Sequence, residues 1–199
     1  MPETTPRQRT TSDYPHARLR IVPKSDRKIL FIMGALIAAN MVNQADRAVM
    51  GILLPLIKID LSLSDSAMGV LAGVAFSGVY AVGAFAFGHA ADSRSRTRLI
   101  ALGLVFWSLA TAASGLAVDF KSMFAARFFT GLGEASLYPC AISLIATTFP
   151  EDRRGRAVGI FGAGATFGGA LGIAAGGLLA EQFGWRSVFF LYGGAGLFV

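Results

Sequence analysis

Residues 29–57 read ILFIMGALIAANMVNQADRAVMGILLPLI. At 1.5 Å per helical residue, about 20 apolar residues cross the hydrocarbon core of a bilayer. This run is long enough, and both its ends are apolar. Its middle is not: Asn40, Asn43, Gln44, Asp46 and Arg47 fall where a spanning helix would be deepest. A charge at the bilayer centre costs roughly 2.5–3.5 kcal/mol on insertion scales, so such residues turn toward a cavity or toward one another. The segment therefore predicts a membrane helix with a polar interior face.

The rest of the chain repeats the plan. Further apolar segments cover residues 67–91, 99–118, 122–149, 157–180 and 187 onward, separated by short polar stretches. Only 15% of the 199 residues are charged and mean hydropathy is +0.57, against about a quarter charged in soluble domains. With no water in the bilayer core, each segment must satisfy its own backbone, which favours helices. The expected fold is an all-α membrane protein, a six-helix bundle occupying residues 28–199. Residues 1–27, with Pro2, Pro6, Pro15 and Pro23, lack apolar periodicity and read as a disordered cytoplasmic tail. The sixth segment stops at Val199, short of a full span, and is expected to be truncated.

The basic residues set an orientation. Arg7, Arg9, Arg18, Arg20, Lys24, Arg27, Lys28, Arg94, Arg96, Arg98, Arg153, Arg154 and Arg156 fall on one side, and Lys58, Lys121 and Arg186 on the other. The positive-inside bias places the N-terminus in the cytoplasm, at the plasma (inner) membrane. A net charge of +6 could suggest nucleic acid. The bases lie between spans and form no stripe, so no nucleic acid partner is expected. Cys140 is the only cysteine, which excludes an internal disulfide and any paired-cysteine metal or redox site. Neither a cofactor nor a metal is expected.

Arg47 and Arg127, with Asp46 and Glu134, fall inside spans. Counting along the first and fourth helices sets Asp46 and Glu134 at similar depth, about 17–18 Å from one face. Arg127 and Glu134, seven apart, share a helical face. The four are the candidate substrate and proton-coupling site; a structural ion-pair network is the alternative. Asn40, Asn43 and Gln44 bind substrate or bond to neighbouring helices. Pro55 and Pro139 occupy corresponding places in a three-plus-three arrangement, and interrupted helices at matching positions mark transporter binding sites. Gly164, Gly168, Gly172 and Gly176 form a stripe suited to close helix packing, with Gly69, Gly73, Ser77 and Ala81 as a second. Both are expected to pack helices, the sharper expectation being a surface on which two halves rock.

From about Asp26 to Val199 the chain resembles the major facilitator superfamily. Gly88-His-Ala-Ala-Asp92-Ser-Arg94-Ser-Arg96-Thr-Arg98 is similar to its cytoplasmic loop signature, with Ser93 and Ser95 as departures. Pro150-Glu-Asp-Arg-Arg154-Gly155 is similar to its next loop element. The resemblance implies a cytoplasmic gate of Gly88, Asp92, Arg96 and Arg154 that latches two halves together. Asp46-Arg47, Val79-Tyr80, Trp107-Ser-Leu-Ala-Thr111, Gly131-Leu-Gly-Glu134, Pro139 to Ile145 and Gly184-Trp-Arg186 resemble the spinster-like branch. That likeness implies alternating access with a lipid-like anionic substrate, protons carried by Asp46 and Glu134, and the anion held by Arg47 and Arg127. The anion:cation symporter branch, which moves sugar acids, shares several of these patterns. A C-terminal half, membrane lipids and protons are the implied partners.

Rivals from other classes fare worse. A six-span serine protease needs an intramembrane histidine base, and the only histidines are His16 in the tail and His89 at a helix end. No Gly-x-x-x-x-Gly-Lys loop supports an ATP-driven pump. An inactive truncated or assembly subunit is the remaining alternative. No enzyme activity is expected.

Overall fold

The computed structural model describes residues 26–199; the first 25, most of the expected tail, lie outside the described residues. Six helical spans follow one another: α1 (Asp26–Asp60), α2 (Asp65–Ser93), α3 (Arg96–Ser114), α4 (Phe120–Thr148), α5 (Glu151–Phe183) and α6 (Trp185–Leu197). The first five are long and apolar enough to cross a membrane.

Local chemistry sets their ends. Ser64 caps α2 by accepting from the Ala67 N–H. Asp119 and Ser122 form a reciprocal capping box at the start of α4, with Asp119 Oδ1 2.7 Å from the Ser122 nitrogen. Glu151 and Asp152 complement the dipole at the start of α5. Gly184, at φ +78°, is the left-handed hinge between α5 and α6. α3 stops at Ser114, earlier than its apolar run suggests, and residues 115–117 close it with i→i+3 bonds.

The two interior prolines differ in effect. Pro139 cannot donate to the Ala135 carbonyl, and α4 breaks at Ala135–Ser136 between two helical pieces, Phe120–Glu134 and Leu137–Thr148. α1 continues through Pro55 as one helix. A π-helical turn at Val70–Val74 interrupts α2 instead, which sequence counting did not anticipate.

Small residues bring the helices together where hydrophobicity gives no drive. A Cβ on Gly168 would sit 2.4 Å from the Met41 Cα, and one on Gly172 2.5 Å from the Ala45 Cα. The α5 stripe, including Gly164 and Gly176, is thus buried along α1. That corrects the rocking-surface expectation for these glycines: they seal a contact inside the bundle. Gly69, Gly73, Ser77 and Ala81 of α2 are not buried, and a Cβ on either glycine would meet nothing within 4 Å.

Two apolar clusters form. One gathers Leu36 and Ala39 with Trp107, Leu137 and Phe161; the other gathers Val49, Leu53 and Ile57 with Met123, Val188 and Phe189. Between them on α1 lie residues 40–47, on α3 Ser108 and Thr111, and on α4 residues 127–134. Asn40, Asn43, Asp46, Ser108, Thr111, Arg127, Thr130 and Glu134 are all buried there. The bundle has a polar waist.

Candidate functional site

The waist is built from ion pairs that cross between helices. Arg47 Nε on α1 donates to Glu134 Oε2 on α4 over 2.7 Å. Arg127 Nη1 lies 3.6 Å from Asp46 Oδ2, an electrostatic pair beyond hydrogen-bond length. Asp46 and Glu134 also stand within interaction range of each other, so two acids and two bases form one cluster, of which only Arg47 and Glu134 line a cleft.

Their surroundings separate their parts. Arg127 and Asp46 are sealed, at 2% and 1% exposure. Glu134 is fully buried, whereas the Arg47 side chain keeps 28% of its surface open. Aromatic rings of α2 cradle both guanidiniums: Arg47 Cζ lies 4.1 Å from the Tyr80 ring centre and 4.8 Å from that of Phe76, and Arg127 Cζ lies 5.1 Å from Phe76. A cation over a ring face is held electrostatically while its N–H edge stays available. Of the two arginines of the waist, Arg47 is the more open, its side chain 28% exposed against 3% for Arg127.

That space is a cleft lined by Asn43, Gln44, Arg47, Tyr80, Glu134 and Tyr138, with Asn40, Leu137, Gly162 and Ala165 completing its walls. A wider opening, lined by Gln44, Arg47 and Ala48 of α1 and Ala165, Thr166 and Gly169 of α5, adjoins it. Asn40 bonds outward to the Phe161 carbonyl, 2.8 Å away, and so ties α1 to α5. Asn43 and Gln44 line the cleft. Several buried atoms have no hydrogen-bond partner: Asn43 Nδ2, Asp46 Oδ1, Ser108 Oγ, Arg127 Nε and Glu134 Oε1. These atoms retain hydrogen-bonding capacity that no other side chain or backbone group among the described residues takes up.

Sequence reading assigned no part to Thr111, whose Oγ1 donates to Asp46 Oδ2 over 3.0 Å, or to Phe76. A hydroxyl in an apolar helix carries no outward sign of where it points. The spacing of Phe76 and Tyr80, one turn apart on α2, was the available signal for a stacked aromatic pair.

Among the described residues, no side-chain hydrogen bond or ion pair links the gate residues to one another. Asp92 is exposed and makes no ion pair among the described residues. Arg96 is half-buried, its Nε without a partner. Arg154 Nε donates to the Phe149 carbonyl at 3.1 Å, and its Nη1 lies 3.6 Å from Glu151. A Cβ on Gly88 would reach Pro139 at 3.9 Å.

Residues 36–199 match the family model of the Major Facilitator Superfamily. The chain belongs to that superfamily. Among its relatives, a puromycin resistance protein of Streptomyces alboniger is 38% identical over 155 residues, covering 76% of this chain and 30% of that protein. The probable galactarate/D-glucarate transporter GudP of Bacillus subtilis is 34% identical, over 84% of this chain and 38% of its own length. The crystal structure of a bacterial homolog of the human lysosomal transporter Spinster, inward-facing and unoccupied, matches with a TM-score of 0.77 and 28% identity. It is covered over 42% of its length, against 88% of this chain. This superfamily member thus spans less than half of each relative. GudP is named as a probable transporter and Spinster as a transporter, and this chain is a membrane-spanning protein of the same superfamily.

Proposed function

We propose that the protein forms the N-terminal half of a secondary transporter that moves a small organic anion together with a proton by alternating access. The observation that carries this reading is the Arg47–Glu134 pair at the mouth of the cleft. Arg47 offers a partly exposed planar guanidinium, a shape matched to a carboxylate or phosphate. An anion seated on that guanidinium competes with Glu134 for it. Once released, Glu134 is a buried acid beside Asp46, and the cheapest way to keep it there is to protonate it. Anion binding and proton uptake thereby become one event.

The cleft walls bear on the substrate. Asn43, Gln44, Tyr80 and Tyr138 present amide and phenol groups, which suit a polyhydroxylated carboxylate. The kinship with a galactarate/D-glucarate transporter points the same way. A second reading, an amphipathic lipid anion such as a lysophospholipid, draws on the likeness to the Spinster homolog. The charge bias of the loops supports an N-terminus in the cytoplasm at the plasma membrane. A C-terminal half would complete the chamber and close on the gate of Gly88, Asp92, Arg96 and Arg154.

Proteoliposomes holding the full-length transporter test this reading. An imposed pH gradient should drive D-glucarate accumulation, and excess lysophospholipid should not compete. Accumulation indifferent to the gradient would remove the proton; effective competition by lysophospholipid would favour the lipid anion.

A further inference from the structure

The start of α5 carries three arginines, and they are not alike. Arg154 is engaged by its own turn, donating to the Phe149 carbonyl and facing Glu151. Arg153 has only a 3.8 Å contact with Asp152, and both side chains are 76% exposed, too open for that pair to hold either in place. Arg156 is exposed and makes no side-chain hydrogen bond or ion pair among the described residues.

Spacing sets the two available cations over one cleft. Arg153, Arg156, Ala157 and Ile160 recur every three or four residues and so share a face of α5. That face lines a cleft whose other walls are Met33 of α1 and Phe149, just beyond α4. From Arg153 to Ile160 the helix axis advances about 10 Å. Along that distance the cleft passes from two guanidiniums at the loop end to Ala157 and Ile160, with Met33 and Phe149 as apolar flanks. Arg27, Lys28, Arg94 and Arg98 are exposed at the same end of the bundle and add to its positive field.

A soluble anion needs the cations but not the apolar walls. An acidic phospholipid needs both: its phosphate oxygens match planar guanidiniums, and its glycerol and first acyl carbons meet apolar side chains deeper in the bilayer. We infer that this cleft binds an acidic phospholipid, its phosphate held by Arg153 and Arg156. The cleft shares no lining residue with that of Arg47, so the inference stands apart from what the waist carries.

Native mass spectrometry of the full-length transporter, released from nanodiscs of mixed phosphatidylglycerol and phosphatidylcholine, tests this. The wild type should retain phosphatidylglycerol in preference to phosphatidylcholine. Arg153→Gln and Arg156→Gln should each lower that preference about fivefold. Arg153→Lys and Arg156→Lys keep the charge and should keep most of the preference, which ties the loss to charge rather than to folding. Arg94→Gln removes an equal charge from the same end but outside the cleft, and should leave the preference unchanged. An equal fall in all three glutamine variants would overturn the site in favour of diffuse attraction to a basic face. An unchanged preference in the Arg153→Gln/Arg156→Gln double variant would overturn it outright. Displacement of the retained lipid by inorganic phosphate or D-glucarate would overturn the lipid assignment and make the cleft a soluble-anion site.

Discussion

Arg47 and Glu134, 87 positions apart, meet through one 2.7 Å hydrogen bond between the first and fourth helices, and only the arginine keeps exposed surface. This asymmetry separates two ion pairs that look alike in sequence. The Arg47 pair is positioned to be broken by an anion, while the Arg127–Asp46 pair is sealed between two apolar clusters.

Arg47→Ala is therefore expected to weaken D-glucarate binding to the full-length transporter at least tenfold. Arg127→Ala is expected to cost about 3–5 kcal/mol of stability, because it leaves the Asp46 carboxylate buried without its counter-charge. Thermal unfolding in detergent and calorimetric titration separate the two. Equal losses of binding at equal stability would show that both arginines hold the anion.

The membrane class and the waist were legible in the sequence because Asp46, Arg47, Arg127 and Glu134 interrupt runs that otherwise tolerate no charge. Helical periodicity also gave their depth and shared faces. It did not say which arginine opens to the cleft. That depends on Phe76 and Tyr80 of α2, whose rings support the guanidiniums from another helix. The α5 glycines were legible as a packing stripe, but not their partner, since a stripe records only that something comes close. Pro55 and Pro139 looked equivalent, yet only α4 breaks, beside the residues that build the waist.

The α1–α5 seam makes a prediction of its own. Gly168→Val places a side chain against the Met41 backbone, where no rotamer change gives relief, and is expected to cost at least about 1–3 kcal/mol. Gly169→Ala, whose Cβ would lie 3.8 Å from that of Ala48, should be near neutral. Thermal unfolding of the two variants checks the contrast; equal midpoints would place the seam elsewhere.

At the start of α4, the Ser122 hydroxyl, followed by the Ser122 backbone N–H, holds the Asp119 carboxyl below its ordinary value. A lowered folded-state value means that the cap stabilises the ionised acid. Its contribution is complete above the ordinary range near pH 4 and fades as pH falls through the lowered value. Protection factors of the amides in the first turn of α4 should fall at acidic pH in the wild type and be low at every pH in Asp119→Ala. Acid-insensitive protection in this turn would mean that the box does not hold the helix start.

The central claim is that an anion displaces Glu134 from Arg47 and that the released acid takes a proton. Its most direct test counts protons taken up as D-glucarate binds to the purified full-length transporter in weakly buffered solution. About one proton per bound anion is expected for the wild type, and none for Glu134→Gln. Saturable anion binding by the wild type with no proton uptake would contradict it.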